Sequence, residues 1–146
     1  MTQKTQMKQL LALAFSVVVA LIAPSALAVG SDRIFTSYEE GRQALIKGSI
    51  PDIQKTAKQI AVAAAGQPLI KEKAATLGGA VDLKAARQAF AALSDEVIKY
   101  RKTRGGAKPV VAYCSMEKKS WLQPEGKIGN PYVGESMRSC GEITTK

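Results

Sequence analysis

From about residue 31 to residue 104, apolar side chains recur every third and fourth position; beyond Pro109 that period is lost. Spacing of this kind marks helices that bury one face. Ile53, Ala57, Ile60 and Ala64 form one such stripe, opened by Ser49-Ile50-Pro51-Asp52. Proline in a first turn followed by an acid is a helix-start signal. Gly66-Gln67-Pro68 breaks this helix, and a short one from Pro68 to Leu77 should stop at Gly78-Gly79. Asp82 can cap the longest helix, whose stripe is Leu83, Ala86, Phe90, Leu93, Val97 and Tyr100. Upstream, Ser37-Tyr38-Glu39-Glu40 has capping-box spacing, which predicts a helix from Tyr38 to Lys47. A start near Asp32 would instead put Phe35, Tyr38 and Leu45 on one face. Four amphipathic segments with short breaks predict a small antiparallel helical bundle.

After Pro109 the chain reads as turns and short strands. Val110-Val111-Ala112-Tyr113 is β-branched and apolar, and it leads straight into Cys114. Gln123-Pro124-Glu125-Gly126 and Gly129-Asn130-Pro131 are turn signals. Gly141-Glu142-Ile143-Thr144 suits a second strand, and pairing it with the first would bring Cys114 near Cys140. The fold class expected is therefore mainly α, a helical bundle with a C-terminal loop or short β-hairpin cap.

The first residues change where this domain begins. Lys4 and Lys8 precede an apolar run from Leu10 to Ala23, and Ala26-Leu27-Ala28 supplies a small-x-small cleavage pattern. This is the build of a secretory signal, with cleavage expected after Ala28. The run is short for the roughly 20 residues of a spanning helix, so no stable membrane anchor is expected after cleavage. The layout is then a signal at 1–28, a helical bundle at 29–108 and a C-terminal segment at 109–146 packed on it as one domain. The location expected is periplasmic or secreted.

The chain holds 21 basic and 12 acidic residues. Without Lys4 and Lys8 the balance is 19 against 12, a net charge of +7. An exported chain with no aromatic interleaving among its basic residues points away from nucleic acid. Lys99, Arg101, Lys102 and Arg104 complement the negative end of the long helix, and a solvated basic face explains them.

With the signal removed, two cysteines and two methionines remain, in two motifs: Cys114-x-Met116 and Met137-x-x-Cys140. Thiolate and thioether sulfur select copper(I) or silver(I) over hard ions. Two cysteines in an exported chain most often form a disulfide. It would span 25 intervening residues and contribute about 3 kcal/mol in the chain-entropy view. The two uses are compatible, since a pair oxidised when idle can take a soft ion when reduced. There is no histidine, no Cys-x-x-Cys and no phosphate-cradling glycine loop, so an enzyme is not expected. Tyr113, Trp121 and Tyr132 read as local core, and Asn130-Pro131 as a turn.

The stretches "AFAALSDEVIKY", "YCSM", Trp121 and "NPYVGESMRSCGEI" resemble a bacterial exported domain family of unknown function. That family joins a helical region to a Tyr-Cys-Pro-Met motif, a Trp-Leu and an Asn-Pro-Tyr-x-Gly-x-x-Met-x-x-Cys-Gly motif. It also occurs fused to periplasmic adaptor subunits of copper/silver efflux pumps. The resemblance spans roughly residues 35–144 and falls on Tyr113, Cys114, Met116, Trp121, Asn130, Pro131, Tyr132, Gly134, Met137, Cys140 and Gly141. Ser115 stands where the family usually has proline, so the Cys-x-Met turn is less preorganised. The resemblance implies a periplasmic copper(I)- or silver(I)-binding accessory protein, a chaperone, scavenger or efflux partner. Cys114, Met116, Met137 and Cys140 would be the ligands. The alternative is a structural or protein-interaction module stapled by a Cys114–Cys140 disulfide.

Overall fold

The computed structural model describes residues 26–106 and 108–144. Among them, four helices come first: α1 (Ala26–Lys47), α2 (Ile50–Ala63), α3 (Pro68–Gly78) and α4 (Leu83–Thr103). Strands β1 (Val110–Cys114), β2 (Lys119–Gln123) and β3 (Glu142–Ile143) follow, with a 3-10 turn at Glu135–Met137 before β3. The protein is mainly α with a small three-stranded antiparallel sheet at its C-terminal end. The charged and apolar stretches of the expected signal, residues 1–25, lie outside the described residues.

Local chemistry sets three of the helix ends. The Ser49 hydroxyl accepts from the Asp52 N–H at 3.4 Å, and Pro51 sits in the first turn of α2. The Asp82 carboxylate accepts from the Ala85 N–H at 2.7 Å and opens α4. Each oxygen satisfies an N–H that the helix itself leaves unpaired. Gly48 takes a φ of +73° and ends α1, a conformation glycine adopts freely. The capping box at Ser37 does not start a helix. α1 already runs from Ala26, and nothing between Ser31 and Ser37 breaks it. Ile34, Tyr38 and Leu45 are buried along its inner face, so packing carries the helix straight past the local signal.

Each helix packs on the next, and α4 also carries β2. Ile53, Ile60, Leu77, Phe90, Leu93, Val97, Trp121 and Leu122 join one continuous apolar core. Each such side chain contributes about 1.5–3 kcal/mol through burial. Rings link the helices to the C-terminal segment. Tyr38 stacks on Phe90 at 4.7 Å, Phe90 meets Tyr132 at 6.3 Å, and Tyr132 meets Trp121 edge-on at 5.9 Å.

In the sheet, β1 lies between the other two strands. Ala112 faces Trp121 in β2 and Ile143 in β3. The pairing of β1 with the segment after Gly141 is as the sequence predicts. The partner β2 is an addition that the sequence reading lacks. Its residues show no alternation: Lys119 and Ser120 are half-buried, while Trp121, Leu122 and Gln123 are all buried. Burial on both faces removes the two-residue period that signals a strand.

Buried hydroxyls tie these layers together. Tyr38 OH lies 2.6 Å from Ser94 Oγ and accepts from the Leu122 N–H at 3.2 Å. Tyr132 OH donates to Ser120 O at 2.7 Å and lies 3.0 Å from Ser94 Oγ. Ser94 Oγ also donates to Phe90 O at 2.7 Å. One cluster thus joins α1, α4, β2 and the loop carrying Tyr132. Burial pushes the ionisation of both tyrosines up, so they remain neutral.

Arginines pin the irregular segment to the helices. Arg42 binds Glu39 through two bonds and donates to Gly129 O. Arg87 donates to Pro131 O at 3.2 Å and Val133 O at 3.0 Å. Arg138 reaches back to Ile46 O at 3.1 Å. Arg101, expected on the solvated basic face, is buried and donates to Pro109 O. Its neighbours Lys99, Lys102 and Arg104 are exposed.

Tyr38→Phe strips the hydroxyl that the Leu122 N–H and Ser94 share. It should lower unfolding stability by about 1–3 kcal/mol, the cost of a buried group left unpaired. Denaturant unfolding of the variant against the parent measures this, and equal midpoints would contradict the structural role given to the cluster.

Candidate functional site

Cys114 is the last residue of β1, and Cys140 lies two residues before β3. The antiparallel register sets Tyr113 opposite Glu142, so the two cysteines meet at the end of the ladder. Their sulfurs stand 2.8 Å apart as free thiols.

The connection that follows β1 is a four-residue hairpin turn, Ser115 to Lys118, with Lys118 at a φ of +52°. The backbone N–H groups of Met116 and Glu117 in this turn favour the Cys114 anion, as does the Asn130 amide. Asn130 is fully buried, donates through Nδ2 to Cys140 O at 2.8 Å and accepts from the Tyr132 N–H at 2.8 Å. Its own N–H donates to Arg138 O at 2.8 Å. One side chain therefore ties Cys140 to the loop that carries Tyr132. Asn130-Pro131 is readable in sequence as a turn, but not as that tie.

The two thiols are not equivalent. Cys114 is fully buried, and Cys140 is partly exposed. Burial opposes ionisation of Cys114. The Cys140 thiol, the Glu117 and Met116 N–H groups and the Asn130 amide outweigh it, so Cys114 ionises below the ordinary 9.0. Cys140 is pushed above 9.0 by donating to Cys114, by burial and by the charges of Cys114 and Glu117. The reduced pair thus holds one proton over a widened pH range. The Cys114 anion adds stability above the unfolded thiol pKa, and this is lost as pH falls through its folded value. The Cys140 proton adds stability below the unfolded pKa, and this is lost as pH rises through its folded value.

The other predicted positions separate into two groups. Trp121 and Tyr132 are buried, as is Pro131, whose carbonyl binds Arg87; Tyr113 is half-buried on β1. Trp121 Nε1 donates to Gln123 Oε1 at 2.9 Å, and Lys119 Nζ sits 5.3 Å from the centre of the Tyr132 ring. Gly141 has a φ of +141°, and a Cβ there would fall 2.7 Å from Trp121 Cη2. Only glycine fits this close approach. Gly134 has a φ of −74° and open space around it, so the local geometry does not demand glycine. Met116 lies on the hairpin turn and is 67% exposed. Met137 ends the 3-10 turn, half-buried, and its carbonyl accepts from the Cys140 N–H at 2.8 Å. The fold thus brings the two cysteines into contact and places each methionine on the backbone beside one of them.

Among the described residues, no group of three or more histidine, cysteine or acidic side chains forms a metal centre. A groove of about 760 Å³ lies elsewhere, lined by Phe35, Tyr38, Leu122 and Pro124 among others, and shares no residue with the pair. Two of its acids are already matched, Glu39 with Arg42 and Glu125 with Lys108 at 3.0 Å.

No family model, no curated protein and no solved structure matches the chain.

Asn130→Ala removes one donor from the Cys114 sulfur. In the reduced protein, thiolate absorbance should rise in two steps on either side of 9.0, and the variant should shift the lower step upward. A lower step unmoved by the substitution would show that Asn130 does not stabilise the anion.

Proposed function

We propose that this protein is a periplasmic accessory protein that binds copper(I), or another soft ion such as silver(I), as cargo through Cys114 and Cys140. The observation that carries this reading is the meeting of two cysteine sulfurs at 2.8 Å, one buried among N–H donors and the other partly exposed. A thiolate supplies the anionic soft donor that copper(I) prefers. The neighbouring thiol can lose its proton to the ion, because metal binding releases protons from its ligands. Met116, exposed on its turn, is free to swing toward an ion at the pair, and Met137 stands on the other side in sequence. The export signal read at residues 1–28 and the motif resemblance support a periplasmic role beside a metal efflux system. Delivery, scavenging and efflux partnership all use this chemistry.

A second reading is favoured by the same short sulfur separation. The pair is placed to close as a disulfide that staples β3 to β1, in a module whose role is structural or protein-binding. In this reading reduction costs stability with no metal present.

Copper(I) competition against a chromophoric chelator separates the two. Mature protein, reduced, should take copper(I) from the chelator, and the oxidised form should not. A Met116→Ala, Met137→Ala double variant should bind more weakly if the thioethers join the site. Equal failure of the reduced and oxidised forms to compete would remove the copper reading and leave the stapled module.

A further inference from the structure

The two cysteines differ in exposure. Cys114 has no exposed surface, lying beneath the hairpin turn and beside Asn130. Cys140 is partly exposed, on the segment between the 3-10 turn and β3. Once the pair is joined as a disulfide, an incoming nucleophile can approach the sulfur–sulfur bond in line only from the Cys140 side.

We propose that the Cys114–Cys140 pair is a one-sided thiol–disulfide exchange site, in which an external thiolate attacks Cys140 and Cys114 is the leaving sulfur. The proposal rests on the cysteine pair that the proposed function uses, and names how that pair is reduced. The thiolate's electron pair forms a new sulfur–sulfur bond to Cys140. The Cys114–Cys140 bond breaks, and its electron pair leaves on Cys114 as a thiolate. Cys114 is the sulfur that leaves because it is fully buried at the end of β1, whereas Cys140 is partly exposed and open to attack. A second thiolate on the reagent then attacks the reagent's own sulfur in the mixed disulfide. Cys140 departs with its electron pair and takes a proton from solvent, so the reagent's dithiol becomes a disulfide and two electrons reach the pair. Run backwards, the same path has the Cys114 thiolate close on a mixed disulfide carried by Cys140. The partner class is therefore a compound or protein with an accessible thiolate. No catalytic partner on this chain is needed, since the attacking thiolate comes from outside.

The test uses the mature chain oxidised with diamide and freed of metal. One arm adds reduced glutathione. The other adds a thioredoxin variant lacking its second active-site cysteine. Each reaction is quenched with acid, unfolded, alkylated and mapped by mass spectrometry. The expected result is a mixed disulfide on Cys140 and an alkylated Cys114, exceeding the reverse arrangement by about tenfold or more. Adducts in both arms indicate a small thiol as sufficient partner, and an adduct in the protein arm alone indicates a protein dithiol; both support the proposal. Adducts mainly on Cys114, adducts shared evenly, no opening by either reagent, or no intramolecular disulfide after diamide would each overturn it. Copper(I) competition on reduced protein is independent of all these outcomes, so failure here is distinguishable from failure of the metal reading.

Discussion

An irregular chain segment laid on a helical bundle must find partners for its backbone carbonyls, because a buried carbonyl without one is costly. Residues between β2 and β3 meet part of this demand with arginine, beside Gln123, Asn130 and their own backbone N–H groups. Arg42 and Arg87 stand on helices and take the carbonyls of Gly129, Pro131 and Val133. Arg138 stands on the segment and takes the Ile46 carbonyl. The planar guanidinium suits this work, since it carries several donors in a fixed fork. The position of Asn130, and through it of Cys140, depends on these ties.

Once the segment is fixed, the chemistry of the sulfur pair follows from neighbours rather than from the cysteines themselves. Cys114 ends a strand and begins a tight turn, so the next backbone N–H groups favour its anion. Cys140 precedes Gly141, where only glycine can pass the Trp121 ring. The turn makes one sulfur the better anion, and the glycine lets the other reach it. The soft-ion binding proposed above and disulfide closure would draw on the same asymmetry, with the redox state of the pair deciding between them.

Features that depend on neighbours in sequence were readable there. Ser49 and Asp82 cap helices where the cap signals predict, and the apolar stripes of α2 and α4 are buried except at the two ends of the second, where Leu83 and Tyr100 are half-buried. Pairing of β1 with the last strand followed from the apolar run Val110–Tyr113, the candidate strand Gly141–Thr144 and the turns between them. Features that depend on distant partners were not readable. The carbonyls bound by Arg42 and Arg87 lie 44 to 87 residues away, so nothing local distinguishes these arginines from the exposed lysines. Ser37 shows the converse error, a local cap signal overridden by an α1 face that packs as one piece from Ile34 to Leu45. The meeting of the cysteines was expected from strand pairing, whereas the inequality between them arises from the hairpin turn and Asn130, which no spacing announces.

X-ray absorption of the reduced protein loaded with one equivalent of copper(I) tests the function proposed here most directly. A first shell made only of sulfur, lost when Cys140 is replaced by serine, is the result that a Cys114–Cys140 copper site requires. A shell dominated by nitrogen or oxygen, or one that Cys140→Ser leaves unchanged, would contradict it.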